Sequence, residues 1–339
     1  MQSPSNAVKV TVNGGARTVQ VPLGRPLLYG LMAEGMFIPS GCGGRGNCGQ
    51  CKVRVMGREL PYAPAELPLV AEPDRQRGTH LSCQVVAAEN LSIEIPPDHL
   101  TARQYEAEAV KVQALTADIF RIDLKVSGAS LDFIAGQYVQ VFIPGTENSP
   151  EPKYRAYSIA SAPSAKRLLT LIVRREPEGT VSPYLCGRLA PGDRLPIRGP
   201  FGEFRLHYGP REMVLVAGGS GMAPIRSLLL SMAEAGIRRP ATYYFTARTE
   251  RDLFMVAEMR ELERRMPDFR FVPSLSNPLP GEPWQGEKGG ITSVLARRLG
   301  ALDRHEAYLC GSAGMIDAAI SVLRSKGLPE ELIFFDKFL

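Results

Sequence analysis

Four cysteines in the first hundred residues constrain this chain more than any other feature of its sequence. Cys42, Cys48 and Cys51 lie in one short glycine-rich loop, and Cys83 follows later. Glycines let such a loop wrap closely around a metal group, with backbone amides aimed at the sulfurs. Plant-type 2Fe–2S sites use a C-x4-C-x2-C loop and a distant fourth cysteine, and this loop has one residue more in the first gap. The pattern predicts a 2Fe–2S cluster held by all four thiolates, whereas a zinc site would usually pair two C-x2-C knuckles.

The overall composition narrows the classes of protein to which the chain could belong. Its 339 residues suggest two or three domains, and six cysteines are too few for a secreted disulfide scaffold. No apolar run is long enough for a membrane anchor, and the polar N-terminus lacks the apolar core of a signal peptide. The 40 basic and 35 acidic residues are interleaved, without a basic cluster. We therefore expect a cytoplasmic protein that binds no nucleic acid and has no membrane anchor.

The segments on either side of the cysteine loop indicate a small α+β domain. Val8–Val12 and Arg17–Val21 alternate around a glycine turn, which is typical of a hairpin. Pro26 starts a short helix, and Lys52–Met56 and Leu91–Ile95 have the pattern of further strands. Together with the cysteine loop, these elements over residues 1–98 resemble a ferredoxin domain.

A second pattern begins at residue 103. Val110–Ala114, Ile119–Val126 and Gln137–Phe142 have the composition of strands separated by turn residues, and no helical period precedes Ser182. Successive strands without helices are typical of an antiparallel β-barrel. The sequence predicts such a barrel over residues 103–208.

Two short motifs predict that the barrel binds a flavin dinucleotide. Tyr157 could stack on the flavin, Arg155 could pair with the pyrophosphate, and the Ser158 hydroxyl could form a hydrogen bond near N5. Considered alone, Tyr157 could equally be an ordinary strand aromatic, and Arg155 a solvated surface charge. The second motif places small residues and backbone amides at a helix start, which suits a phosphate; it consists of Gly179, Thr180, Val181 and Ser182.

The last part of the chain alternates strands and helices, which predicts a parallel sheet covered on both faces over residues 209–339. Met213–Ala217 leads into a glycine turn and then a helix, an arrangement that binds a pyrophosphate at the helix N-terminus. The turn lacks the third glycine of the G-x-G-x-x-G fingerprint. Its residues are Gly218, Gly219, Ser220, Gly221, Met222, Ala223 and Pro224. A nicotinamide nucleotide is the predicted ligand.

In this order, the motifs resemble those of the ferredoxin–NADP reductase superfamily. The chain is similar to the three-module reductase components of bacterial multicomponent oxygenases, such as those of phenol hydroxylase and soluble methane monooxygenase. The longer cysteine gap instead resembles that of the F subunit of the sodium-pumping NADH:quinone oxidoreductase. The resemblance implies a multidomain protein with a β-grasp ferredoxin-like domain, an antiparallel FAD-binding β-barrel and an α/β domain for NAD(P)H.

The same resemblance implies an oxidoreductase that passes electrons from NADH through FAD and the 2Fe–2S cluster to an external acceptor. We expect this acceptor to be an oxygenase that docks near the cluster loop, where Arg45 and Asn47 would face it. A quinone, a sugar-deoxygenating enzyme or a radical enzyme is the alternative acceptor. A redox sensor, whose cluster is read out rather than turned over, is a further alternative.

The resemblance also assigns roles to residues nearer the C-terminus. Cys310, followed by Gly311, would lie beside the nicotinamide carbon that gives up hydride, although a small buried core residue is the alternative. Phe335 and Phe338 are both candidates for the aromatic that covers the flavin. Arg248 would lie near the adenosine ribose, where arginine favours NADPH and the acidic residue two positions later favours NADH. The stretch Thr246 to Leu253 is more similar to NADH-dependent members of the superfamily, so NADH is the expected nucleotide.

Overall fold

The first domain is a β-grasp sheet with one helix packed across it. The computed structural model describes residues 7–145, 153–281 and 283–338, so the first six residues of the predicted polar N-terminus lie outside the described residues. The sheet order is β2-β1-β5-β3-β4; β1 and β5 run parallel and the other neighbours are antiparallel. The elements are β1 (Ala7–Val12), β2 (Arg17–Pro22), α1 (Leu27–Ala33), β3 (Lys52–Met56), α2 (Glu72–Arg75), β4 (Thr79–Leu81) and β5 (Leu91–Glu94).

Period-two burial explains why this sheet folds onto α1. Val8, Val10 and Val12 of β1 are buried while the residues between them are more exposed, as expected for a strand with one covered face. Gly30 lets the helix approach closely, because a β-carbon at this position would collide with Val21 of β2. The cysteine loop follows α1 and lies at one end of this core.

The second domain is a curled antiparallel sheet of six strands. Its order is β10-β7-β6-β11-β8-β9, and a bridge between Ile159 and Leu171 brings the two edges together. The sheet therefore forms a nearly closed barrel, as the strand pattern predicts. Its elements are β6 (Arg103–Ala114), β7 (Ile119–Val126), β8 (Tyr138–Ile143), β9 (Lys153–Ser158), β10 (Leu168–Arg174), α3 (Val181–Gly187) and β11 (Arg194–Phe201).

The third domain is a parallel sheet with the order β15-β14-β13-β12-β16-β17. Helices connect most of its strands, as the alternation in the sequence predicts. Its strands are β12 (Glu212–Gly218), β13 (Ala241–Ala247), β14 (Phe269–Leu275), β15 (Glu287–Lys288), β16 (His305–Ser312) and β17 (Ile333–Phe338). Its helices are α4 (Met222–Glu234), α5 (Val256–Arg265), α6 (Ile291–Arg298) and α7 (Ala313–Ser325). None of the helices in the described ranges is long and apolar enough to cross a membrane.

Buried polar contacts join the second and third domains. Arg226 of α4 is 8% exposed, and its Nη1 donates to the carbonyl oxygen of Ala160 at 2.6 Å. The same guanidinium pairs with Glu258 of α5 at 2.6 Å. The Ser227 hydroxyl donates to the Ser161 carbonyl oxygen at 2.7 Å. Since these acceptors directly follow β9, the contacts fix the end of that strand against α4.

Candidate active site where the three domains meet

One cavity of about 650 Å³ is lined by all three domains. The cysteine loop contributes Cys42 and Cys48, and the barrel contributes Tyr157 and Ser158. The third domain contributes its predicted nucleotide-binding turn after β12, the end of β16 and the end of β17. The lining residues from the third domain are Gly218, Ser220, Ala223, Gly311, Ser312, Asp336, Lys337 and Phe338. Motifs that lie far apart in the sequence therefore share one space.

The four cysteines of the first domain are arranged as two pairs. A hydrogen bond with the Cys48 thiol lowers the pKa of Cys42 to about 4, and the same bond raises the pKa of Cys48. A hydrogen bond with Cys51 likewise lowers the pKa of Cys83 to about 7 and raises that of Cys51. No three metal-binding side chains of the described residues gather around a single ion position. Two adjacent pairs suit the two irons of a 2Fe–2S cluster better than one tetrahedral zinc.

Backbone and side-chain donors already face these sulfurs. The Arg45 amide donates to the Cys42 sulfur at 3.2 Å, and the Gln84 Nε2 donates to the Cys83 sulfur at 3.4 Å. Gly46 has a φ of +76°, and a β-carbon there would lie 2.6 Å from the Gln84 amide nitrogen. The loop conformation therefore requires glycine at this position. The donors supply the hydrogen bonds that tune the reduction potential of such a cluster.

Arg155 provides a positive charge at the barrel side of the cavity. Its Nη1 donates to the Tyr154 carbonyl oxygen at 2.7 Å, and no carboxylate of the described residues lies within ion-pair distance. Burial and the nearby charge of Arg45 lower the pKa of Arg155 from its ordinary value. A half-buried guanidinium without an acidic partner suits an anionic ligand such as a pyrophosphate. Tyr157 lies beside it in the same lining.

The second barrel motif lines the same cavity. Gly179, Thr180, Val181 and Ser182 all lie in the lining, at the start of α3. The Ser182 hydroxyl accepts a hydrogen bond from the Glu176 amide at 3.0 Å, which folds the preceding turn back onto the helix. The two flavin motifs of the sequence therefore face one another across a single space.

Ser158, Cys310 and Asp336 lie together at the boundary between the barrel and the third domain. The Ser158 hydroxyl donates to the Asp336 carboxylate at 3.4 Å, and Asp336 is paired with Cys310 across β16 and β17. Burial raises the pKa of Asp336 to about 6. Burial also raises the pKa of the Cys310 thiol well above its ordinary value. The Cys310 thiol is fully buried and lies outside the cavity lining, whereas the next residue, Gly311, lines the cavity.

The glycine turn after β12 lies directly against the barrel. A β-carbon at Gly219 would collide with the Arg174 guanidinium, and one at Gly221 would collide with the Cys310 carbonyl oxygen. This close approach explains why the turn is built of small residues. Gly218, Ser220 and Ala223 reach the cavity, whereas Gly219, Gly221, Met222 and Pro224 support the turn from outside its lining.

The structure separates the remaining candidates. Phe338 lines the cavity, whereas Phe335 is 46% exposed and lies outside the lining. Arg248 is exposed at the end of β13, and its carbonyl oxygen accepts the Asn277 amide at 2.8 Å. Arg45 and Asn47 are exposed and also line the cavity, so they face the flavin side of the loop as well as solvent.

Three cavity residues carried no local signal that would have predicted them. Asp336 reaches Ser158 from 178 positions away in the sequence. Tyr138 of β8 and Gln50 of the cysteine loop share a hydrogen bond of 3.0 Å, at a separation of 88 positions. Only the fold brings these residues together.

Comparisons with known proteins agree with this arrangement. Three family models match the chain in order: a 2Fe-2S iron-sulfur cluster binding domain at residues 10–88, an oxidoreductase FAD-binding domain at residues 107–206, and an oxidoreductase NAD-binding domain at residues 215–320. The protein is thus an oxidoreductase with binding domains for a 2Fe–2S cluster, FAD and a nicotinamide nucleotide.

Relatives and solved structures match nearly the whole chain. The Amycolatopsis cytochrome P450 reductase GcoB is 28% identical with a TM-score of 0.79, and covers 98% of each chain. The ferredoxin reductase in carbazole 1,9a-dioxygenase is 25% identical with a TM-score of 0.74, and covers 98% of this chain and 99% of its own. Subunits F of the Na⁺-translocating NADH-quinone reductases of Neisseria meningitidis and Klebsiella pneumoniae are each 32% identical, over 98% of this chain and 91% of theirs. The protein belongs to the family of ferredoxin-, FAD- and NAD-domain reductases that includes these F subunits.

Proposed function

We propose that the protein carries electrons from NADH through FAD and a 2Fe–2S cluster to the oxygenase component of a multicomponent mono- or dioxygenase. NADH delivers two electrons as a hydride, a 2Fe–2S cluster accepts one at a time, and FAD can exchange electrons in both ways. One observation carries the proposal: the cluster loop, the flavin motifs and the nucleotide-binding turn after β12 line a single cavity. Electrons can then move between the cofactors within one chain.

Within this proposal, the chain's own residues hold the ligands and exclude water. Arg155 would bind the FAD pyrophosphate, Tyr157 would provide a flat surface for the flavin, and the start of α3 would provide backbone amides for phosphate. The turn after β12 and the N-terminus of α4 bind the nicotinamide nucleotide. Ser158, Asp336 and Phe338 all line the cavity. In this proposal Ser158 and Asp336 would adjoin the path of the hydride, and Phe338 would cover the flavin.

The oxygenase is proposed as the acceptor because two solved structures that match the whole chain are reductases of a cytochrome P450 and of a dioxygenase. The second candidate acceptor is a quinone. It is favoured by the 32% identity with subunits F of Na⁺-translocating NADH-quinone reductases. Both candidates share the route from NADH to the cluster and differ only in the final step.

The acceptor is tested with the holoprotein and NADH in two parallel assays. A tagged holoprotein captures partners from its native cells, and any captured metalloenzyme is mixed with holoprotein and NADH under anaerobic conditions. Reduction of its metal centre, followed by electron paramagnetic resonance (EPR), supports the oxygenase proposal. Efficient reduction of a short-chain ubiquinone, with no reduction of a captured oxygenase, would instead support the second candidate.

A further inference from the structure

We propose that Tyr138 and Gln50 are positioning residues that hold the cluster loop against the flavin cavity for electron transfer between the two. This inference rests on the electron route proposed above. It concerns the second internal step, in which one electron at a time leaves reduced FAD and enters the oxidised cluster, with NADH as the reductant.

The two faces of β8 have different partners. Val139, Val141 and Ile143 point inward and fill the core of the barrel. Tyr138, Gln140 and Phe142 alternate with them and point outward, yet all three are buried. A strand side chain that points out of a barrel is buried only if another part of the protein covers it. The first domain provides that cover.

Each outward residue of β8 contacts the segment that contains or precedes the cysteine loop. Phe142 belongs to the buried core of the first domain, together with the residues around α1. The Gln140 Nε2 donates to the carbonyl oxygens of Ile38 and Ser40, at 3.3 and 3.4 Å. The Tyr138 hydroxyl donates to the Gln50 Oε1 at 3.0 Å. The contacts thus progress along β8 from the domain core towards the cluster.

Tyr138 is the member of this row that also reaches the electron-transfer cavity. It lines the cavity and is paired with Ser158 across β8 and β9. Gln50, its partner, lies between the cluster ligands Cys48 and Cys51. One hydrogen bond therefore joins the strand next to the flavin motif to the tightest part of the cluster loop.

The hydrogen bond between Tyr138 and Gln50 is partly buried and closely packed. Tyr138 is 5% exposed, and its ring packs against Phe201 with centroids 5.6 Å apart. Burial raises the pKa of Tyr138 well above its ordinary value, so the hydroxyl stays protonated and remains a donor. The Gln50 Oε1 also lies 2.9 Å from the position of a β-carbon on Gly41, just before Cys42. The carboxamide is held between the barrel and both ends of the loop.

The test separates the two internal steps within one sample. Holoprotein is mixed with NADH under anaerobic conditions, and flavin bleaching and the EPR signal of the reduced cluster are followed in time. In Tyr138→Phe, we expect the ratio of the cluster rate to the flavin rate to fall about fivefold, which corresponds to the roughly 1 kcal/mol of one neutral hydrogen bond. Tyr105→Phe, which removes a hydroxyl from β6 elsewhere on the barrel, should leave the ratio unchanged.

Three further measurements separate positioning from other effects. Hydrogen exchange of residues 41–51 should accelerate in Tyr138→Phe and not in Tyr105→Phe, because only the first change releases the loop. The midpoint potential of the cluster should stay at the wild-type value. Adding Gln50→Leu to Tyr138→Phe should slow the cluster step no more than the slower single change, since both remove the same bond.

Failure of the proposed electron route and failure of the role of Tyr138 and Gln50 would give different results. If NADH does not reduce the cluster of the wild-type holoprotein, the proposed function itself is wrong. If it does, and Tyr138→Phe leaves the rate ratio unchanged, only the role of Tyr138 and Gln50 is refuted. A potential shift large enough to account for the slower step would also refute it, because Tyr138 would then act on the driving force.

Discussion

Glu66 is a buried carboxylate that connects the segment between β3 and α2 to β4, the strand that leads to Cys83. It is 1% exposed. Its Oε1 accepts the Leu81 amide at 2.7 Å and lies 3.3 Å from the His80 Nδ1, and its Oε2 accepts the Ala63 amide at 2.8 Å. Replacing Glu66 with alanine removes all of these contacts, and we expect this change to destabilise the first domain and to accelerate loss of the cluster.

The loss of unfolding free energy in Glu66→Ala depends on how far water can replace each lost hydrogen-bond partner. Leu81 is fully buried, so its amide pays the whole penalty of an unsatisfied donor, about 1–3 kcal/mol. Ala63 is partly exposed, so water can replace the carboxylate and the cost is about 1 kcal/mol. The contact with His80 and the lost packing add about 1 kcal/mol more. Glu66→Ala should therefore cost about 4 kcal/mol, and Glu66→Gln, which keeps one acceptor oxygen, about half as much.

Hydrogen exchange of the Leu81 and Val55 amides, on β4 and β3, measures this cost directly. A loss of about 4 kcal/mol corresponds to roughly a thousandfold faster exchange, and Glu66→Gln should fall between this and the wild type. Glu59→Ala is the matched control, because Glu59 is exposed in the same part of the chain. An acceleration below tenfold in Glu66→Ala, or one equal to that of the control, would show that Glu66 does not stabilise the first domain through these contacts.

Three further predictions concern the cofactor sites. Cys48→Ser should abolish the EPR signal of the cluster while NADH still bleaches the flavin; loss of both would contradict independent sites. Ser158→Ala removes the hydroxyl next to Asp336 and should slow flavin reduction about tenfold, with a smaller change in NADH affinity; an unchanged rate would remove Ser158 from the hydride site. Since the pKa of Asp336 is about 6, its carboxylate forms above that pH and can stabilise the positive charge that develops on nicotinamide. The rate of flavin reduction should thus rise with pH through 6 in the wild type and stay flat in Asp336→Asn.

The parts of the site that sequence could predict are those with local chemistry. The cysteine loop, the barrel motif at Arg155–Ser158 and the turn after β12 each combine residue types that one ligand requires, within a few positions. The structure brings these motifs to one cavity. Their roles remain predictions until the variants are measured.

The parts that sequence could not predict depend on contacts between domains. β8 has large, mostly apolar side chains on both faces. Its sequence does not indicate that Tyr138 and Gln140 contact the first domain and not the inside of the barrel. Asp336 and Arg226 likewise act on residues of another domain. Helix α5 begins only at Val256, because Thr249 and Asp252 cap a separate turn and Met255 adopts a φ of +54°. Local patterns cannot register such tertiary constraints.

We propose that this one chain converts the hydride of NADH into single electrons on a 2Fe–2S cluster. The most direct measurement is an anaerobic titration of the reconstituted holoprotein with NADH, with flavin absorbance and cluster EPR recorded at each step. We expect two irons and one FAD per chain, and an EPR signal of a reduced 2Fe–2S cluster that grows as NADH is added. A bleached flavin with a cluster that stays oxidised when excess NADH is present, or a single zinc in place of the irons, would contradict this electron route.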